Sequence, residues 1–226
     1  MRFKFQNLRI TVILFILLNF YIIQYLILHY SKNIIRKALY YLMTNSQEFG
    51  FKISIIGDGG VGKTSLIKKF TKGTFEKDYI KTIGAQFSRY DKNINEDVIN
   101  LIFWDIAGQI DFKFLHPLFY KESRAGIIVC SLEANDLGKD SFTHIENWNN
   151  ELKKYCGDIP VVLFTNKVDL VKENNTSTIK IQELVKKYNF LRYFITSAKT
   201  GEGVIEAFNA IIDKLYFKYK QLSSQK

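Results

Sequence analysis

Eight consecutive residues limit the possible folds of this chain more than any other feature: Gly57-Asp58-Gly59-Gly60-Val61-Gly62-Lys63-Thr64. The spacing Gly-x-x-x-x-Gly-Lys-Thr is that of a phosphate-binding loop. An apolar run, Phe51 to Ile56, leads into it, and Leu66-Ile67-Lys68-Lys69-Phe70 leads out with helical spacing. The expected unit is a strand, a loop and a helix. Glycines let the backbone curl until successive N–H groups point inward at an anion. The helix that follows aims its positive N-terminal end at the same point. Lys63 can reach the outer phosphates as a point charge. The hydroxyl of Thr64, with Ser65 beside it, can lie on a magnesium ion that bridges them.

The rest of the chain is long enough to build on that unit. With 226 residues, 47% of them hydrophobic, it can form one sizeable α/β domain and an additional segment. Two prolines and thirteen glycines exclude the collagenous and low-complexity classes. Cys130, in Gly126-Ile127-Ile128-Val129-Cys130, reads as a small buried hydrophobe, and nothing requires a disulfide with Cys156. That fits a reducing compartment. A net charge of +10 raises nucleic-acid binding, but its distribution argues against it. Arg2, Lys4, Arg9, Lys32, Arg36 and Lys37 face only Glu48 in the first fifty residues, a net of about +5. The remainder is mixed with acids along helical stretches.

From about Gln47 onward, strand-like runs alternate with helical ones. The strands expected are Phe51–Ile56, Ala85–Tyr90, Val98–Asp105, Gly126–Leu132, Val161–Asn166 and Leu191–Thr196. The polar stretch Asp91 to Asp97 reads as a hairpin. Phe142, Ile145, Trp148 and Leu152 fall on one face of a helix, as do Ile181, Leu184, Val185 and Tyr188. The last helix starts near Gly203 and carries Phe208, Ile211, Ile212 and Leu215 as its core stripe. This alternation predicts an α/β fold, a six-stranded, mainly parallel sheet with helices on both faces. Ligands of such sheets sit at the carboxyl ends of the strands.

Candidate chemistry gathers at those ends. Trp104-Asp105-Ile106-Ala107-Gly108-Gln109 closes the third strand. Asp105 can sit near the magnesium through a water. The N–H of Gly108 can approach a terminal phosphate, and Gln109 can orient an attacking water. Thr165-Asn166-Lys167-Val168-Asp169 closes the fifth strand. The two oxygens of Asp169 can accept from the ring N–H and the exocyclic amine of guanine, a pairing adenine lacks. Lys167 can lie over the base, and Asn166 can tie this loop to the phosphate loop. Thr196-Ser197-Ala198-Lys199 closes the last strand, with the N–H of Ala198 aimed at a guanine carbonyl. Thr82, in the loop after the first helix, can join magnesium and the last phosphate only when that phosphate is present, which is the basis of a switch.

In order along the chain, GDGGVGKT, Thr82, WDIAGQ, TNKVD and TSAK resemble the small GTPases of the Ras superfamily. The resemblance covers about Phe51 to Leu215. KTIGAQF, WDIAGQ and LFYKES are most similar to the Rab branch. The resemblance implies a three-layer P-loop NTPase G domain, GTP binding, slow hydrolysis, and effector, exchange and activating proteins that meet switch regions near Thr82 and Gln109. It implies catalytic roles for Gln109, Lys63 and Thr82. Nucleotide contacts fall to Gly57, Asp58, Gly59, Gly60, Val61, Gly62, Lys63, Thr64, Ser65, Phe75, Thr82, Gly108, Asn166, Lys167, Asp169, Ser197, Ala198 and Lys199. Magnesium falls to Thr64, Thr82 and, via water, Asp105. Two positions depart from the pattern: Lys81 where many relatives carry proline, and Ile110 where glutamate usually follows the glutamine. Both touch partner identity more than chemistry. A nucleotide-bound scaffold with negligible hydrolysis and an ATP-using enzyme are the competing readings.

Residues 10–30, ITVILFILLNFYIIQYLILHY, carry no formally charged side chain and are long enough to cross a bilayer. No small-x-small cleavage site follows, so a signal peptide is not expected. Both flanks are basic, and a cytosolic nucleotide domain would leave Arg2, Lys4 and Arg9 to be translocated. The readings are a membrane anchor, an interfacial or partner-packed helix, and upstream sequence translated ahead of a natural start at Met43. The expected divisions are 1–46 as this segment, 47–220 as the nucleotide domain and 221–226 as a short polar tail. The ending Ser223-Ser224-Gln225-Lys226 offers no cysteine for prenylation. The expected location is the cytoplasm, at the cytoplasmic face of a membrane where residues 10–30 insert.

Overall fold

The computed structural model describes residues 46–76, 81–108, 115–171 and 178–225, with Lys32, Ile34, Arg36 and Lys37. The chain divides into two units, Met1–Gln47 and Glu48–Lys226. In the first, Lys32, Ile34, Arg36 and Lys37 are helical and exposed. The apolar stretch 10–30 and Met43 lie outside the described residues.

The second unit alternates strands and helices. Its strands are β1 (Glu48–Ile56), β2 (Ala85–Ile94), β3 (Asp97–Ile106), β4 (Ala125–Ser131), β5 (Val161–Asn166) and β6 (Arg192–Ile195). The helices are α1 (Lys63–Lys72), α2 (His116–Tyr120), α3 (Asp136–Thr143), α4 (Ile145–Cys156), α5 (Thr178–Tyr188) and α6 (Val204–Ser223). The strands form one sheet in the order β2-β3-β1-β4-β5-β6. Only β2 runs antiparallel, pairing with β3 from Ala85↔Ile106 to Ile94↔Asp97. The hairpin is tighter than the polar stretch suggested. Both strands continue to a two-residue turn, Asn95-Glu96, where Asn95 adopts φ 55°. Asn tolerates that left-handed backbone better than most residues.

The apolar runs are near-continuous because both faces of the central strands are covered. Ile53, Ile55, Ile127, Val129, Val162 and Phe164 join α1 and α6 on one face. Ile56, Ile128, Cys130, Val161 and Leu163 join α2, α4 and α5 on the other. Phe208 of α6 anchors the first cluster, stacked on Phe70 at 4.4 Å and edge-on to Phe103 at 5.2 Å and Phe164 at 5.3 Å. Its helix buries Val204, Ala207, Phe208, Ile211, Ile212 and Leu215 at the predicted spacing. Each of these side chains except that of Ala207 contributes about 1.5–3 kcal/mol through removal from water.

The segment predicted as one helix around Phe142 to Leu152 is two. His144 ends α3 and begins the turn into α4. The alternating burial of β2 marks a strand with one face toward solvent, which leaves Phe87 largely exposed.

Candidate functional site

A cavity of about 410 Å³ opens at the carboxyl ends of β1, β3, β5 and β6. Gly59, Gly60, Gly62, Lys63, Thr64 and Ser65 form its phosphate-loop wall. Phe75, Thr82 and Gly108 close one side, and Asn166, Lys167, Asp169, Ala198 and Lys199 the other. Five predicted residues do not line it: Gly57, Asp58, Val61, Asp105 and Ser197. Val61 is fully buried, and Ser197 is hydrogen-bonded to Asp169. Gln109 lies outside the described residues.

The phosphate loop curls because Gly57, Gly60 and Gly62 all adopt positive φ. Gly62 has a second reason to lack a side chain: a Cβ there would stand 2.4 Å from Asn166 Nδ2. It is also the N-cap of α1, with no side-chain cap and no acid in the first turn. The first N–H groups of α1 are therefore open to an anion. Gly108 is packed as closely, since its Cβ would meet Gly57 O at 2.2 Å. The end of β3 thus lies directly on the phosphate loop.

Lys63 is buried, and its Nζ donates to Gly57 O at 2.7 Å and Asp58 O at 2.8 Å. Burial pushes its ammonium down to about 8, against the pull of the Asp105 and Asp58 charges. Beside it the Thr64 hydroxyl donates to Asp105 Oδ2, and Thr64 and Thr82 share a 3.0 Å hydrogen bond. Asp105 Oδ1 is buried with no hydrogen-bond partner. Burial holds the Asp105 carboxyl above its usual range, against the hydrogen bond from Thr64 and the charge of Lys63. One carboxylate and two hydroxyls with an unsatisfied buried oxygen suit a hard cation that keeps several waters, as magnesium does. A cation there would also reverse the cost of burying Asp105.

At the other end Asn166 ties three segments together. Its Nδ2 donates to Val61 O at 2.9 Å, and its Oδ1 accepts from Ala198 N at 3.1 Å and Thr196 Oγ1 at 3.3 Å. Ser197 Oγ donates to Asp169 Oδ1 at 2.6 Å, and Lys199 Nζ lies 3.8 Å from Asp169 Oδ2. Asp169 is thereby fixed in the cavity wall. Lys167, at φ 69°, is held by Glu133. Glu133, itself a hydrogen-bond partner of Ser131, was not singled out from sequence, because no motif marks it.

A profile of the Ras family matches residues 52–217. Ras-related protein Rab-21 of Bos taurus is 35% identical over 161 residues, 71% of this chain and 70% of that protein. Its counterpart in Homo sapiens is 34% identical over 71% of this chain and 69% of its own length. Ras-related protein Rab-18-B of Danio rerio is 36% identical over 168 residues, 73% of this chain and 78% of that protein.

Proposed function

The chain belongs to the Ras family, and on that premise we propose that the cavity at the strand ends works as a switch that senses the last phosphate of GTP. As a Rab-like GTPase it binds GTP and GDP with magnesium and hydrolyses GTP to GDP. The observation that carries the residue-level reading is the cluster of Thr64, Thr82 and Asp105, with Asp105 Oδ1 unsatisfied.

In this reading Lys63 and the first N–H groups of α1 hold the phosphates. Thr64 and Thr82 would hold the magnesium, with Asp105 reaching it through a water. Magnesium, when bound, neutralises negative charge on the phosphate oxygens. Thr82 engages only with the triphosphate, so the loop that carries it changes its contacts when the last phosphate leaves. Gln109 orients the attacking water and the N–H of Gly108 meets the terminal phosphate. Asp169 selects guanine, Lys167 covers it, and Phe75, 37% exposed at the rim, contacts it. Intrinsic turnover is slow until a partner protein supplies an arginine, for whose approach Gly59 leaves room.

Partner proteins read the state on an aromatic strip beside Thr82. Phe87 and Ile83 are each 73% exposed. The ring of Trp104 lies 6.2 Å from Phe87 and 6.0 Å from Phe119 of α2. Exposed contiguous apolar surface of this kind marks a protein-binding site. Membrane traffic is the process that fits a Rab-like switch, with residues 10–30 as its attachment to a membrane. Among the described residues no helix is long and apolar enough to cross one. Residues 47–220 are the nucleotide domain, and a chain beginning at Met43 is expected to fold and bind GDP.

Single-turnover phosphate release from the GTP-loaded chain tests the mechanism. Slow release, at least about 10-fold slower in Gln109→Leu with GDP affinity unchanged, is expected. Equal rates would remove Gln109 from the mechanism, and no release over hours would favour the scaffold.

A further inference from the structure

Helix α4 and the residue before it grip two separate parts of the nucleotide domain with one face. His144, Trp148 and Glu151 are spaced four and three apart, so they line up along that face. At one end, His144 Nδ1 donates to Asp58 Oδ2 at 2.7 Å and Trp148 Nε1 donates to Asp58 Oδ1 at 2.8 Å. At the other end, Glu151 Oε2 accepts from His116 Nδ1 at 2.9 Å and Tyr120 OH at 3.0 Å, both on α2. The Trp148 and His116 rings lie 6.1 Å apart, which links the two grips.

The phosphate loop depends on such fastening. Of residues 57–62, four are glycine, so only Asp58 and Val61 offer side chains to hold it. Val61 is fixed by burial, and its carbonyl by Asn166. Asp58 is the other fastening, and its own carbonyl accepts from Lys63 Nζ. A shift at Asp58 therefore reaches the lysine that meets the phosphates. The strut itself is rigidly seated, because Ile145 and Leu152 are fully buried. A cavity of about 380 Å³ lies between the grips, lined by Asp58, Gly59, Gly108, His144, Trp148 and Glu151 among others.

We propose that α4 is a strut coupling α2 to the phosphate loop, so that losing the Glu151 grip on α2 loosens Asp58 and speeds nucleotide release. His144 and Trp148 are positioning residues at the loop end, and Glu151 at the α2 end. The inference rests on nucleotide lying against the phosphate loop. Coupling of this kind requires a packed element that both ends bias, and α4 supplies it.

The test is release of fluorescently labelled GDP from the magnesium-loaded full chain. His144→Ala and Trp148→Phe should each release about 10-fold faster, as the loss of a charge-assisted hydrogen bond predicts. His144→Asn should return near the starting rate, because its amide nitrogen occupies the place of Nδ1. Glu151→Ala, at the α2 end, should release about 5-fold faster; if it fails to fold, Glu151→Gln should give about 2-fold. The double variant His144→Ala/Glu151→Ala should release more slowly than the product of the single effects. The Trp148 indole N–H resonance, assigned with Trp104→Phe, should move in the Glu151 variant. Unchanged release in the Glu151 variant, fully multiplicative effects, or a stationary indole resonance would each overturn the strut. A chain that takes up no GDP would overturn the nucleotide reading and the strut with it. A GDP-loaded chain with unaltered release rates would overturn the strut alone.

Discussion

At the base end of the cavity Asn166 makes three hydrogen bonds that join the phosphate loop to the ends of β5 and β6, and Asp169 is held by Ser197 and Lys199. At the phosphate end Thr64, Thr82 and Asp105 bond to one another, and Asp105 keeps a buried oxygen unpartnered. The two ends are made of similar residue types, short polar side chains. They differ in where their partners come from. Partners drawn from neighbouring strands hold a group in one place whatever is bound. Partners drawn from a helix, a strand end and the loop residue Thr82, with capacity left over, can be exchanged for a ligand atom. The base end is therefore built to retain, and the phosphate end to discriminate.

The largest expected effects fall at the base end and should strike both nucleotides alike. Asp169→Asn replaces an acceptor with a donor opposite the guanine amine, and affinity for GDP and GTP should fall together by about 10³-fold or more. Isothermal titration would show it, and unequal losses would break the comparison. Asn166→Ala strips Val61, Thr196 and Ala198 of their shared partner. It should lower stability by about 3 kcal/mol in denaturant unfolding and weaken both nucleotides. At the phosphate end the effect should be smaller and one-sided. Thr82→Ala should weaken a non-hydrolysable GTP analogue about 10-fold while leaving GDP affinity within about 2-fold, since the hydroxyl engages only with the last phosphate. The smallest effect belongs to a residue of neither end. Asn95→Ala should cost about 1 kcal/mol of stability, through its left-handed backbone, and change neither affinity.

The base end was also the more legible in sequence. The spacing of Thr165-Asn166-Lys167-Val168-Asp169 after an apolar run places every side chain at a strand end, and the tie from Asn166 to the phosphate loop follows from that register. The strand pattern was equally plain, because β1, β4 and β5 bury both faces and so read as unbroken apolar runs. What stayed hidden was contact between distant elements. Asp58 meets His144 and Trp148 across 86 and 90 residues, and Lys167 meets Glu133 across 34. Such pairs depend on how a helix lies over the sheet, which no local spacing encodes. The break at His144 was hidden for a different reason. Phe142, Ile145, Trp148 and Leu152 keep helical periodicity straight through it, so the stripe conceals the joint between α3 and α4.

Amide hydrogen exchange on the full chain, loaded first with GDP and then with a non-hydrolysable GTP analogue, tests this division most directly. The account predicts greater protection with the triphosphate in residues 58–65, 81–86 and 105–116, and no change in residues 161–171 and 192–200. Equal changes at both ends, or changes confined to the base end, would contradict it.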